Sequence, residues 1–365
     1  AEMGVEPGAE LTEAHRRVLR QQVTVAEAAP LRAYRQLPPD LPEFTGREPE
    51  IRRFIERLPV GGAATAVVWG IQGTAGVGKT RLAVHLAHLL ADRGSYCGPQ
   101  LFVDLRGRAD TPPADPAAVL AWFLRSLGVP DNAVPPDLAG RAALYQEHLR
   151  GRHALVVLDN AASTAQVLPL LPNAPATLTI VTSRRALALP GALNLTLGGF
   201  TEPEALRFLS RVVGPARVAR EPRAAEQIVR QCGGLPLAVA LAARRLQARP
   251  QWALGDLASR LAHPRHRLGE LAAGGRDLQT RLGYSYRALS QTSQRIFRLL
   301  GRHPGMDVTD ASVSRLAGVD QLAARKALGQ LVEEHLLTVT RGQRYLLPHL
   351  VRDYARELAR PGGTD

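Results

Sequence analysis

A mostly parallel α/β sheet with helices on both faces, followed by a helical domain and a winged-helix domain, is the fold class that three observations predict. Residues 65–72 form a short apolar, β-rich run that feeds a glycine-rich turn and then a helical repeat of apolar positions. A second apolar run, 154–158, ends on Asp159. Beyond about residue 200 the alternation of strands and helices gives way to helical spacing alone. Short apolar strands alternating with helices imply a sheet buried on both faces, with its site at the carboxyl ends of the strands.

In the first run Thr65, Ala66, Val67, Val68, Trp69 and Ile71 suit a buried strand. It leads into Gly73-Thr74-Ala75-Gly76-Val77-Gly78-Lys79-Thr80, the pattern G-x-x-x-x-G-K-[ST] in the strand–turn–helix setting it requires. Leu82, Ala83, Leu86, Ala87, Leu89 and Leu90 then recur at helical spacing. Amides around Gly73, Gly76, Val77 and Gly78 can wrap an oxyanion, and the helix N-terminus adds partial positive charge. In such a loop Lys79 reaches the β- and γ-phosphates of a nucleotide, the Thr80 hydroxyl sits on Mg²⁺, and Arg81 follows among the binding residues. The expected fold is therefore an α/β P-loop NTPase.

A P-loop needs a second carboxylate on the metal side, at the end of another buried strand. Ala154-Leu155-Val156-Val157-Leu158-Asp159 supplies it, with Asp159 holding Mg²⁺ through water. The next residue is Asn160, whose amide cannot accept a proton from an attacking water, so nucleotide binding is expected with slow hydrolysis. Strands are also predicted over 101–105 and 178–181, with helices around 117–127 and 138–149. The last of these strands runs into Thr182-Ser183-Arg184-Arg185, which leaves Arg184 either on the surface or facing a γ-phosphate.

Composition narrows the class. At roughly 150 residues per domain, 365 residues suggest two or three domains. The hydrophobic fraction is 45%, and no apolar run approaches the ~20 residues of a membrane span; the best, 235–243, is interrupted by Pro236. The first ten residues lack the basic start and apolar stretch of a signal peptide, so a cytoplasmic setting is expected. Two cysteines, Cys97 and Cys232, make neither a disulfide framework nor a metal site. The net charge of +13 invites a nucleic-acid reading, yet acids interleave with the basic residues, which favours a solvated surface. Only two of the 46 basic residues are lysines, and one of them is Lys79.

Downstream, helices are predicted over 203–213, 222–231, 235–246 and 252–261. Further helices near 294–300, 310–316 and 321–334 precede apolar Leu336-Leu337-Thr338-Val339 and Tyr345-Leu346-Leu347, which flank a turn containing Gly342. A hairpin after a helix is the outline of a winged helix, a unit that can read DNA.

These features in this order resemble the NB-ARC branch of the STAND class of P-loop ATPases. Phe44-Thr45-Gly46-Arg47-Glu48 looks like the motif whose backbone and arginine contact adenine, which implies Phe44 and Arg47 at the base. The resemblance makes Gly73, Gly78, Lys79 and Thr80 the phosphate loop, Asp159 the Walker B acid and Arg184 the sensor arginine. Gly233-Gly234-Leu235-Pro236-Leu237 looks like the GLPL motif, in which Pro236 packs on the base; read alone, it is a loop entering a helix. The family's latch is Met-His-Asp before a helix like Leu350-Val351-Arg352-Asp353-Tyr354-Ala355, but here Leu347-Pro348-His349 precedes it. Without a gap Pro348 takes the His position, and a shift of one residue would bring His349 to the β-phosphate of ADP. Read alone, His349 begins a helix.

Residues 4–19 resemble the last helices of a bacterial transcriptional activation domain, as found before the ATPase unit in large AfsR-like regulators of the SARP type. The implied layout is an activation-domain end (1–30), a proline-rich linker (31–43), a nucleotide-binding domain (44–198), a helical, ARC1-like domain (199–275), a winged helix (276–360) and a tail (361–365). The implied activity is an ADP/ATP-operated switch of a transcriptional regulator, of the kind that controls antibiotic biosynthesis. The resemblance further implies self-association in the ATP state, with DNA contact mainly through a separate N-terminal domain. Two other readings stay open, a DNA-binding winged helix and an AAA+-like motor; the motor would need an acid where Asn160 stands.

Overall fold

Among the described residues, five strands form one sheet: β1 (Val67–Gln72), β2 (Gln100–Asp104), β3 (Leu155–Ala161), β4 (Leu178–Ser183) and β5 (Leu193–Thr196). Their order is β2-β3-β4-β1-β5, and every pairing is parallel. The computed structural model describes residues 35–42, 44–59, 66–107, 111–273, 276–305, 307–340 and 342–360. The expected activation-domain end, the first residues of the linker, Thr65 and the tail lie outside the described residues.

Side chains alternate across the sheet as the two-residue period of a strand requires. Val68, Val156, Leu158 and Val181 face Phe123, Leu124 and Tyr145, while Trp69, Ile71, Val157 and Ile180 face Leu82, Leu86 and Leu90. One face is thus covered by α1 (Glu48–Glu56) and α2 (Lys79–Asp92), the other by α3 (Pro116–Ser126) and α4 (Leu138–Leu149). Local chemistry sets the helix starts: Asp115 caps the N–H groups of Ala117 and Ala118, with Pro116 in the first turn. β4 lies between β1, which carries the glycine loop, and β3, which carries Asp159. That order delivers Thr182 to Arg185 into the space between them.

After β5 the chain turns helical, beginning with α5 (Glu202–Val213), whose Thr201 and Glu204 form a reciprocal capping box. There follow α6 (Pro222–Gln231), α7 (Pro236–Gln247), α8 (Leu254–Leu261), α9 (Leu278–Arg287), α10 (Gln291–Arg302), α11 (Asp310–Ala317) and α12 (Gln321–Glu333). Strands β6 (Asp307–Val308), β7 (Thr338–Thr340) and β8 (Arg344–Leu346) make a small antiparallel sheet in the order β6-β8-β7, and α13 (His349–Leu358) closes the region. One apolar cluster runs from Ala205 to Ala355, across the expected boundary at 275.

The expected strands and helices occur with ends shifted by a few residues; the helix expected over 252–261, for example, starts at Leu254. β5, α1, α9 and β6 were not expected from the sequence. Only Leu195 is buried in β5, so the strand has no apolar run to show, and α1 buries only Phe54.

A buried ion pair ties the middle of the helical region to its last helix. Arg267 donates to Asp353 at 2.6 Å, with the two side chains 4% and 1% exposed. Removing one partner of such a pair leaves the other charge buried and uncompensated. Asp353→Ala is expected to destabilise the C-terminal region by about 3 kcal/mol in urea unfolding; a loss below about 1 kcal/mol would show that the pair is dispensable.

Candidate functional site

The glycine loop between β1 and α2 is held in a backbone shape that side chains resist. Gly76 and Gly78 have φ of 79° and 99°. Lys79, the first residue of α2, folds its Nζ back onto the loop and donates to the carbonyls of Gly73 (2.7 Å) and Thr74 (3.0 Å). Burial, and after it the Arg184 guanidinium, pulls the Lys79 ammonium down to about 7, while Asp159 draws it the other way.

One residue on, the Thr80 hydroxyl donates to Asp159 Oδ1 at 2.7 Å. From the end of β4, Thr182 donates to the same oxygen at 2.6 Å and accepts from the Asn160 N–H at 2.9 Å. Burial raises the Asp159 pKa, against the two hydroxyl bonds that favour its charged form. Asn160 takes the left-handed region (φ 55°) at a register shift in β3, and its side-chain amide donates to Asp104 at 3.3 Å. An ammonium, loop amides, a hydroxyl and a buried carboxylate thus converge within one strand–loop–helix unit. This donor set fits a polyphosphate with a hard divalent cation.

The segment before β1 closes one side of the loop. Arg47 is buried with φ 70°, and its Nη2 donates to the Val77 carbonyl at 3.0 Å. Its backbone N–H donates to Glu204 at 3.1 Å, and its guanidinium lies 4.9 Å from the Phe200 ring centroid. Phe44 stacks flat on His85, centroids 3.8 Å apart, and its carbonyl accepts from Arg211 at 2.8 Å. Arg47 and Phe44 therefore tie the loop to α5.

The Gly-Gly-Leu-Pro-Leu turn closes another side. Pro236 opens α7, but it is Leu237 that touches the loop, donating its N–H to the Gly76 carbonyl at 3.0 Å. Arg81 is exposed on the first turn of α2.

Arg184 is buried and points its Nη1 at the Arg281 carbonyl (3.0 Å) and the Ser285 hydroxyl (3.2 Å) of α9. His349 lies against Arg267, whose Nη1 is 2.8 Å from Nε2, and none of its hydrogen bonds among the described residues goes to the loop. Its pKa is lowered by burial first and by Arg267 second. The histidine that does reach the loop is His335, whose carbonyl accepts from Thr74 Oγ1 at 3.4 Å. Thr182, Leu237 and His335 were missed in the sequence. A polar Thr182 ending an apolar strand was a usable signal, whereas His335 has none in its own neighbourhood.

No family model matches the chain. The regulatory protein AfsR of Streptomyces griseus is 41% identical over 366 residues, which cover 98% of this chain and 37% of that protein. The AfsR protein of Streptomyces coelicolor is 39% identical over 372 residues, with the same two coverages. The chain is AfsR-like. It spans little more than a third of the length of these curated relatives. Among solved structures, a Walker-type ATPase of Pyrococcus abyssi superposes with a TM-score of 0.55 over 89% of this chain and 99% of that one. At 13% identity it shows the shared P-loop fold.

An added Cβ at Gly76 would lie 2.9 Å from Leu237 Cβ, whereas at Gly78 it would meet nothing within 4 Å. Both substitutions carry the left-handed backbone cost of about 1–2 kcal/mol, and Gly76→Ala adds an overpacking cost of about 1–3 kcal/mol. Urea unfolding should therefore rank Gly76→Ala as the more destabilised by at least about 1 kcal/mol. Equal losses would show that Leu237 does not press on the loop.

Proposed function

We propose that this chain is a nucleotide-operated regulatory module that binds ADP or ATP with Mg²⁺ and controls the activity of a transcriptional regulator. The observation that carries this reading is the convergence of Lys79, the glycine loop, Thr80 and Asp159. Lys79 currently satisfies its ammonium with its own loop's carbonyls, an arrangement that an incoming phosphate can replace with charge-assisted bonds.

In this reading Gly73, Gly76, Val77, Gly78 and Lys79 hold the phosphates, and Thr80 with Asp159 holds Mg²⁺. Phe44, Arg47 and the turn at Pro236 stand on the base side, with Arg81 at the edge of the site. The metal supplies charge neutralisation at the phosphates. In this reading Arg184 distinguishes a triphosphate: its present partners belong to α9, and contact with phosphate would release that helix. A nucleotide moves such an equilibrium only by its difference in affinity for the two arrangements. Self-association in the triphosphate state is the proposed output, with slow turnover because Asn160 stands beside Asp159. His349 keeps a place in this reading only if its pairing with Arg267 opens.

The C-terminal sheet with α11 and α12 fits a winged-helix outline, but two of its basic residues are already paired with carboxylates. Arg325 pairs with Asp310 at 2.8 Å and Arg344 donates to Asp307, so neither presents a free charge to a DNA backbone. DNA contact is assigned to a part of the parent protein outside this chain. No helix among the described residues is long and apolar enough to cross a membrane, which accords with a cytoplasmic regulator.

Denaturing the purified protein and chromatographing the supernatant should release adenine nucleotide, and calorimetry on stripped protein should detect ADP binding. Lys79→Ala is expected to weaken ADP binding roughly 10- to 100-fold while leaving the urea midpoint unchanged or higher, since a buried ammonium is removed. Undiminished ADP affinity in Lys79→Ala, or no binding by the unsubstituted chain, would refute the reading.

A further inference from the structure

The turn that ends α12 reaches the phosphate loop from 261 residues away in sequence. Glu334, the C-cap residue, has a fully buried side chain and pairs with Arg185 at the end of β4. Arg185 is the neighbour of Arg184, so this pair is anchored on the same strand end that flanks Asp159. His335 follows with φ 54°, a backbone shape that costs a residue with a Cβ about 1–2 kcal/mol. Its carbonyl accepts from Thr74 Oγ1, its ring bonds the Arg184 backbone, and the Lys79 ammonium lies close enough to help burial depress its titration. Leu336 and Leu337, each 1% exposed, then fix the turn in the apolar core.

A buried carboxylate and a left-handed histidine are each unfavourable alone, so the turn persists because Arg185 and the loop hold it. The inward side of the turn meets Thr74, in the loop against which a polyphosphate would lie. We infer that the Glu334–His335 turn is the retaining element of the phosphate site, set in place by the Arg185–Glu334 pair, and that bound nucleotide leaves only when this pair opens. The inference rests on the nucleotide-binding reading above. Arg185 and Glu334 are positioning residues, acting through the turn on the loop.

The test uses Glu334→Gln, Arg185→Gln and the double variant, with N-methylanthraniloyl-ADP as the probe. Each single variant is expected to speed release of the probe at least tenfold. The double variant should be no faster than the faster single one, because residues acting as one unit are not additive. Amide exchange of residues 73–78 in nucleotide-free Glu334→Gln should also quicken. Glu221→Ala serves as the control for general loosening, since it removes a carboxylate that accepts from Leu254 (3.0 Å) and Gly255 (2.9 Å) in the helical region. It should lower stability and leave probe release within twofold of the unsubstituted chain. Release unchanged in both single variants, or quickened equally by Glu221→Ala, would overturn the inference. Should the unsubstituted chain bind no probe, the nucleotide reading fails, and the exchange measurement alone decides whether the turn guards the loop.

Discussion

A buried ammonium held beside guanidinium groups is the constraint around which this structure is arranged. Lys79 feels Arg184 and Arg281 as like charges, and the nearby carboxylate of Asp159 compensates only in part. Burying such a group unpaired would cost several kcal/mol, so its pKa falls and its N–H groups donate hydrogen bonds to the loop carbonyls. The same cations that strain the ligand-free site make it receptive to a polyanion. Each neighbouring feature can be understood as managing that charge: Thr80 and Thr182 satisfy Asp159, Arg184 is drawn off to α9, and Arg185 is neutralised by Glu334.

Three distant segments converge on one short loop. Arg47 binds the Val77 carbonyl, Leu237 binds the Gly76 carbonyl, and the His335 carbonyl receives the Thr74 hydroxyl. The first belongs to the segment before the sheet, the second to the helical region and the third to the C-terminal region. A change in the loop therefore has mechanical access to all of them. Because one apolar cluster spans the helical and C-terminal segments, a displacement at one can propagate to the other.

What could be read in the sequence follows the range of the interactions. The strand–loop–helix around Lys79 is legible because its determinants lie within thirty or so residues and each has a local physical reason. Asp159 is legible because a charged residue ending an apolar run is conspicuous. By contrast, β5 buries one residue and leaves no pattern. The Arg185–Glu334 pair joins residues 149 apart, and nothing near either marks the other. His349 was a phosphate-side candidate only through the latch motif shifted by one residue; the fold sets it against Arg267, and it is the His335 carbonyl that meets the loop. Local chemistry is written locally, whereas closure over the site is a property of the tertiary fold.

The most direct measurement of the central claim is a crystal structure of the chain with ADP and Mg²⁺. The account expects Lys79 Nζ to have left the Gly73 and Thr74 carbonyls for a phosphate oxygen, with the metal between Thr80 and Asp159. A loop containing solvent alone, with Lys79 still bonded to those two carbonyls at saturating ADP, would contradict it.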